Sequence, residues 1–328
     1  MAELYIEDVH TPTNSEWDSI WQKCDYASYY HSREWAEIWK VYSGGKIYPE
    51  PKLIIFNDGK KALIPLSVQS SLGLLRSYIS SPAGTFGGWI SSDKLLAAHA
   101  NLLLDHLAGE YPNLVLFMNP YDKLVFEQAL PSNDETYAID LGCGHDAAYK
   151  KWHKSQREKV KKAIKLGVLI REAASAEDWA VYYDIYEDSL RRWGKNATTN
   201  YGKELFEELF RRQSPYIKLW LAEFENKIIA GNIAFYSNKQ VAGWHAAALE
   251  KYFKTRMVNL IIYKIFEHAC KHGYSWLDFG PCGGHEGVRA FKKEFGTEEL
   301  SFPIINAETP LKKIFNKVHS LKNKAVLL

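Results

Sequence analysis

The chain has 328 residues, of which 46% are hydrophobic and 24% charged. These are near globular averages, so it can bury more than one core and is neither fibrous nor disordered. Its 41 basic residues against 39 acidic ones leave +2, which excludes wholesale coating of a polyanion and makes any phosphate contact local.

Cys24, Cys143, Cys270 and Cys282 form no C-x-x-C pair and have no histidine at zinc-finger spacing, so no disulfide framework and no metal site is expected. No apolar run approaches the ~20 residues needed to span a bilayer, and the first residues lack a leader pattern. The expectation is a cytoplasmic protein without integral membrane insertion.

In chain order, one succession of elements runs from Ser32 to Leu141 and recurs from Asp178 to Ile304. The first copy opens on a Trp/Tyr-rich helix. A hairpin follows, with arms Leu53 to Phe56 and Ala62 to Leu66 around Asn57-Asp58-Gly59, and then a further strand. A glycine-containing run, Ala83 to Gly88, precedes a long helix from Asp93 to Glu110. The strand Leu114 to Asn119 stops at Pro120, and a short helix and a last strand complete the copy. The segment Ala147 to Gly167 carries eight cations (Lys150, Lys151, Lys154, Arg157, Lys159, Lys161, Lys162, Lys165) against Glu158, with a narrow apolar stripe of Trp152, Val160, Ala163 and Ile164. It reads as a basic linker helix.

The second copy starts with Trp179, Tyr182, Tyr183, Tyr186, Leu190 and Trp193 on one helical face, between a Ser175-x-x-Asp178 capping box and Gly194. Leu205, Phe206, Leu209 and Phe210 mark a shorter helix. The hairpin arms are Leu219 to Phe224 and Ile228 to Tyr236, and a strand from Val241 to Ala248 follows. A long helix from Arg256 to His272 ends at Gly273, the strand from Trp276 stops at Pro281, and a short helix holds Phe291 and Phe295. Two copies of one α/β unit imply two lobes, 1–146 and 147–328, and clefts that serve as binding sites.

Hairpins, one long helix and a short buried strand form the order of an acyl-CoA N-acyltransferase fold. Lys151 to Gly167, Arg192-Trp193-Gly194, Ile228-Ile229-Ala230-Gly231, and Leu277-Asp278-Phe279-Gly280 with Phe291-Lys292-Lys293-Glu294-Phe295-Gly296 resemble the FemAB/FemX group of peptidyltransferase-like proteins. The resemblance covers most of the chain and is most specific from Ala147 to Phe302. It implies an α/β fold of tandem GNAT-like domains with mixed sheets. It also implies an aminoacyltransferase or N-acyltransferase that moves an aminoacyl or acyl group, commonly from aminoacyl-tRNA, to an amine of a cell-wall or cell-envelope precursor, a nucleotide-linked one included. No resident cofactor is implied, since aminoacyl-tRNA or acyl-CoA serves as co-substrate. The long helical arm of some members is missing. Two other readings stay open: a CoA- or carrier-dependent N-acyltransferase acting on a polysaccharide amino sugar or secondary metabolite, and a non-catalytic binding module.

Amine attack on an ester or thioester needs a cation or donor for the developing oxyanion and an acceptor for the ammonium proton. Lys292 matches the family's Phe-Lys position and is the candidate cation; a solvated helix face is the alternative. Aligning Phe126 with Phe291 puts Glu127 opposite Lys292, which assigns the donor to the second copy. Asp278 and His245 are candidate proton acceptors, with loop-fixing open for Asp278 and a structural role for His245. The family strand often carries Asp before Pro; here Asn119 cannot accept a proton at neutral pH.

Arg192, with Tyr201 after it, resembles the contact to an acceptor's phosphate or carboxylate, or complements the helix dipole. Arg157 offers bidentate phosphate pairing or a solvated face. Gly87 and Gly88 line the acceptor cleft by resemblance, or only make a turn. On the donor side, Phe291 is a ring contact or core, and Arg289 a phosphate contact or surface cation. Lys254, Thr255 and Arg256 are possible phosphate ligands. Lys251 to Asn259 lacks the glycine that usually opens a diphosphate cradle before the long helix, which favours aminoacyl-tRNA over CoA.

Overall fold

The computed structural model describes residues 3–71, 75–124, 133–197 and 199–307. Phe126 and Glu127, compared above with Phe291 and Lys292, lie outside the described residues. The chain divides into two compact units, Met1–Asp134 with Phe302–Leu328 and Glu135–Ser301.

In the first unit, β1 (Ile6–His10), α1 (Asn14–Lys23) and α2 (Arg33–Tyr42) precede β2 (Ile47–Pro49), β3 (Lys52–Phe56), β4 (Lys61–Ile64), β5 (Ser67–Ser71) and β6 (Leu75–Ile79). Helix α3 (Ala97–Glu110) and β7 (Leu114–Phe117) follow. The expected hairpin is present, but each arm is broken in two: β3 pairs with β4, and β2 with β5, all antiparallel. The breaks fall beside Pro51 and Pro65, which have no N–H for the ladder. Strand β6 then runs parallel to β7, with α3 as the crossover between them. Leu103 and Leu107 of α3 pack on Ile54, Phe56, Leu114 and Leu116 to form this unit's core. The helix starts at Ala97 rather than Asp93. The Asp93 carboxylate accepts the Lys61 N–H (2.9 Å) and anchors the incoming loop to β4 instead.

The second unit receives β8 (Asn133–Asp140) from residue 135 onward. Helices α4 (His145–Lys151) and α5 (Lys154–Lys165), strand β9 (Leu169–Glu172), α6 (Ala176–Trp193) and α7 (Lys203–Arg211) follow. Then come β10 (Ile217–Phe224), β11 (Lys227–Tyr236), β12 (Gln240–Ala248), α8 (Met257–Lys271), β13 (Trp276–Pro281), α9 (Glu286–Lys293) and β14 (Glu298–Ala307). Strands β9, β10, β11 and β12 pair antiparallel in succession, and β12 runs parallel to β13 across α8. Buried Leu260, Ile261, Ile265 and Phe266 of α8 meet Trp152, Leu277 and Phe295 in this core. Ser175 caps α6 by accepting the Asp178 N–H (3.2 Å), but the capping box is not closed: Asp178 accepts the Ala174 N–H (2.8 Å) and pairs with Arg171 (2.6 Å).

The two successions correspond strand for strand: the antiparallel run β1, β3/β2, β4/β5 matches β9, β10, β11, and the parallel pair β6, β7 matches β12, β13. Tandem GNAT-like architecture is therefore present. The boundary expected at 146/147 falls at 134/135, because the last strand of each copy pairs away from its own copy. Strand β8 lies antiparallel to β13 (Leu277 opposite Ile139), and the end of β14 lies antiparallel to β7 (Ile304 opposite Phe117). The basic segment is not a linker between units. It forms α4 and α5 of the second unit, where buried Gln156, Val160 and Ala163 turn α5 towards α8.

Candidate active site

The parallel pairing of β12 and β13 ends at Ala242 opposite Asp278. Beyond that point the strands part, and the edge of β12 that had faced β13 has no strand partner among the described residues. A register shift in the β11–β12 ladder leaves Trp244 as an extra residue between His245 and Gly243, the local bend of a bulge. The space so opened is a cavity of about 220 Å³. Gly243, Trp244, His245 and Ala246 line it from β12, and Leu277, Asp278 and Phe279 from β13. Val258, Ile262 and Ile265 of α8 and Val288, Phe291 and Lys292 of α9 complete the wall. A second cavity of about 140 Å³ shares Asn232, Ala246, Val258 and Ile262 with the first and extends to Arg192, Trp193 and Phe253.

The first unit has the same parting of parallel strands after Ile79 and Val115, but there it is filled. Gly87 bridges Met118, its N–H reaches the Phe117 carbonyl (2.6 Å), and the Phe117 N–H reaches Ser80 Oγ (3.0 Å). A Cβ on Gly87 would lie 2.3 Å from Ser80 Cβ, and Gly88, at φ +88°, lies against Met118. Close packing is the reason for both glycines, and neither lines the cavities of the second unit. Asn119 is likewise consumed by structure: its amide donates to the Tyr26 carbonyl (2.7 Å) and its oxygen accepts the Tyr121 N–H (3.0 Å). Nearby, burial pushes the Asp122 carboxyl up to about 6, a carboxylate that sequence reasoning passed over.

Lys292 is not on a solvated face. It is 7% exposed and lines the cavity, and its Nζ donates to the carbonyls of Gly280 (2.7 Å) and Pro281 (2.9 Å). The ammonium pegs the end of β13 to α9 and places a positive charge in the wall. Asp278 is buried and accepts from Thr136 Oγ1 (2.5 Å) and the Gly280 N–H (2.6 Å). These bonds hold the left-handed turn at Gly280 (φ +72°) and do not suit a proton acceptor.

His245 also reaches the cavity, but desolvation without a counter-charge lowers its pKa to about 3. Its Nδ1 lies 2.6 Å from the Tyr182 hydroxyl, which also meets the His245 carbonyl (3.1 Å). A base this weak is far from the optimum for neutral pH. His245 is held as an uncharged hydrogen-bonding group against Tyr182, in keeping with the structural reading. Gly231 of the family motif permits this arrangement, because a Cβ there would lie 2.5 Å from the Tyr182 ring.

Phe291 faces both ways: it lines the cavity and packs edge-on against Phe295 at 5.0 Å. Arg192 reaches the Ala248 carbonyl (3.2 Å) and lies over the Phe253 ring (5.1 Å), at the end of the groove where α8 begins. It therefore lies beside the start of α8, next to the residues expected to meet the donor, and not in the first unit. Tyr201 stacks on Trp244 (5.4 Å) and holds a cavity wall from behind. Arg289 pairs with Glu135 (2.5 Å) and Glu286, and Arg157 lies on α5; neither is among the residues lining these cavities.

At the start of α8, Thr255 is buried and bonds the Tyr252 carbonyl (2.7 Å), Lys254 is exposed, and Arg256 takes the left-handed conformation (φ 63°, ψ 27°). The missing glycine therefore carries less weight than the sequence suggested, since a non-glycine residue adopts the backbone that glycine would supply, at a cost of ~1–2 kcal/mol. Asn232 was missed altogether: its side-chain oxygen is buried, unpartnered and set among the residues of both cavities. Its place in the hairpin arm gave no signal, because nothing local marks a polar side chain left unpaired.

Residues 148–293 match the family model of the acetyltransferase (GNAT) domain. Among solved structures, the chain is similar to FemX (TM-score 0.72, 14% identity, 94% of this chain and 99% of that one). It is also similar to the C-terminal domain of a putative lysylphosphatidylglycerol synthetase from Agrobacterium fabrum (0.59, 11%, 94% and 96%) and to L-PGS from Bacillus licheniformis (0.57, 11%, 93% and 96%). Among curated proteins none matches the sequence.

Proposed function

For a chain with a GNAT acetyltransferase domain in a FemX-like fold, we propose that the parted strands of the second unit bind an activated acyl donor and that the reaction is acyl transfer to an amine. The neutral amine nitrogen attacks the carbonyl carbon, the carbon–oxygen or carbon–sulfur bond breaks, and the leaving alkoxide or thiolate takes a proton to become a hydroxyl or thiol. Lys292 supplies positive potential to the developing oxyanion, Asn232 accepts a hydrogen bond from the bound ligand, and the ammonium proton leaves to water in the open groove. Arg192 and the first-turn amides of α8 hold the donor's phosphates, where the helix dipole favours negative charge.

The observation that carries this reading is the contrast between copies: the cleft is filled in the first unit and open in the second, with Lys292 in its wall. The preferred donor is aminoacyl-tRNA and the acceptor an amine of a cell-envelope precursor. An acyl-CoA donor is the second reading, and the left-handed Arg256 favours it, since that backbone suits a diphosphate cradle without glycine.

The test is a screen of labelled aminoacyl-tRNAs and acyl-CoAs against a panel of amines, read by mass spectrometry, with Ala246→Trp as the variant that fills both cavities. Transfer by the parent and none by the variant is expected. Equal transfer by both would remove the cavity from the mechanism.

A further inference from the structure

The basic helix is left without a role in the reaction above. Lys154, Lys161, Lys162 and Lys165 of α5 are exposed, as are Lys150 and Lys151 of α4. Lys161 pairs with Glu158 (3.0 Å) and Lys159 with Glu294 (3.7 Å), whereas Lys154, Lys162 and Lys165 make no ion pair among the described residues. Charge of one sign is thus concentrated on a chain whose total is only +2.

The apolar side chains beside it are equally unusual. Helix α5 ends in a Schellman turn: the Gly167 N–H bonds the Ile164 carbonyl (3.0 Å) and the Val168 N–H the Ala163 carbonyl (3.1 Å). The turn sends Val168 into the core and leaves Ile164, Leu166 and Leu169 outside, 55%, 44% and 65% exposed. Leu169 opens β9, the edge strand of this unit, whose charged residues are already matched: Arg171 pairs with Asp178 and Glu223, and Glu172 with Lys218. The apolar cluster therefore borders the unmatched lysines.

We propose that this face, the outer side of α5 with the Ile164–Leu169 turn, docks on an anionic lipid bilayer. Lysines near an anionic surface each contribute on the order of 1 kcal/mol, and apolar side chains inserted at the headgroup boundary add to that. A nucleic acid would use the cations but has no partner for two leucines and an isoleucine held in water. The contact is peripheral; among the described residues no helix is long and apolar enough to cross a membrane.

The test is co-sedimentation of the full chain with vesicles of phosphatidylcholine alone and of phosphatidylcholine with phosphatidylglycerol, at low and high salt, with tRNA mobility shift in parallel. Binding to the anionic vesicles only, weakened by salt, is expected. Lys154→Gln/Lys161→Gln/Lys162→Gln/Lys165→Gln should lower it on the order of a thousandfold, and Ile164→Ser/Leu166→Ser/Leu169→Ser about tenfold. Circular-dichroism melts of both variants should match the parent, since every changed residue is exposed. No preference for anionic vesicles, full binding by the serine variant, or a tRNA shift without vesicle binding would each overturn the proposal. No acyl donor is present, so failure here leaves the proposed reaction untouched.

Discussion

Replacing Lys292 with Met separates the two things its ammonium does. The substitution keeps most of the side chain's length and apolar body but removes the donors to the Gly280 and Pro281 carbonyls, which are half-buried. Loss of charged hydrogen bonds at partly solvated acceptors costs about 1–3 kcal/mol of stability. If the positive charge also serves the oxyanion, kcat falls a further 10²- to 10³-fold, roughly the effect of removing one oxyanion donor. Thermal melting measures the first effect, and transfer assayed by mass spectrometry at saturating donor, well below the melting temperature, measures the second. Lys292→Arg retains charge and donors, and it should recover stability more fully than turnover because the planar guanidinium differs in shape from the ammonium. Turnover of Lys292→Met within a few-fold of the parent, alongside a lowered melting temperature, would refute the catalytic assignment and leave Lys292 as a peg between β13 and α9.

Arg256→Gly should raise the melting temperature slightly, through relief of about 1 kcal/mol of left-handed strain, while weakening donor binding; calorimetry with CoA separates the effects. Gly87→Ala should destabilise the first unit by roughly 1–3 kcal/mol, because its Cβ meets Ser80 backbone and side chain; an unchanged urea midpoint would contradict the close packing. His31 is buried, bonds the Gly87 carbonyl (3.0 Å) and has its pKa lowered by desolvation to about 4. A histidine near 6.5 when unfolded and near 4 when folded takes up a proton on unfolding between those pH values. Its stabilisation is complete above pH 6.5 and is lost as pH falls towards 4, by roughly 3 kcal/mol in total. Urea melts across that range should show the slope, and His31→Gln should reduce it.

Local pattern was enough to read the elements of this chain and their repetition. The Trp/Tyr face of α6, the apolar sides of α8 and the proline-terminated strands are short-range signals, and these elements formed within a few residues of their expected bounds, whereas the short helix expected after Pro120 lies outside the described residues. Pairing was another matter. Nothing within β8 or β14 states which strand it will lie against, so only packing revealed that each copy surrenders its last strand and that the unit boundary moves to 134/135.

The candidate site divides in the same way. Lys292, Asp278, His245, Phe291 and Arg192 were singled out from residue type and order, and they do converge on the adjoining cavities. What each does there depends on neighbours remote in sequence: two carbonyls for Lys292, Thr136 for Asp278, and the Tyr182 hydroxyl and a dry pocket for His245. The left-handed backbone of Arg256 and the unpartnered oxygen of Asn232 are invisible in composition or periodicity, because both are costs imposed by the surrounding fold. Sequence alone determined which elements form and in what order, since helix and strand periodicity is local. Tertiary structure alone decided which parted strands stay open and which close, since that depends on whether a distant segment such as Ser80 to Gly88 fills the space.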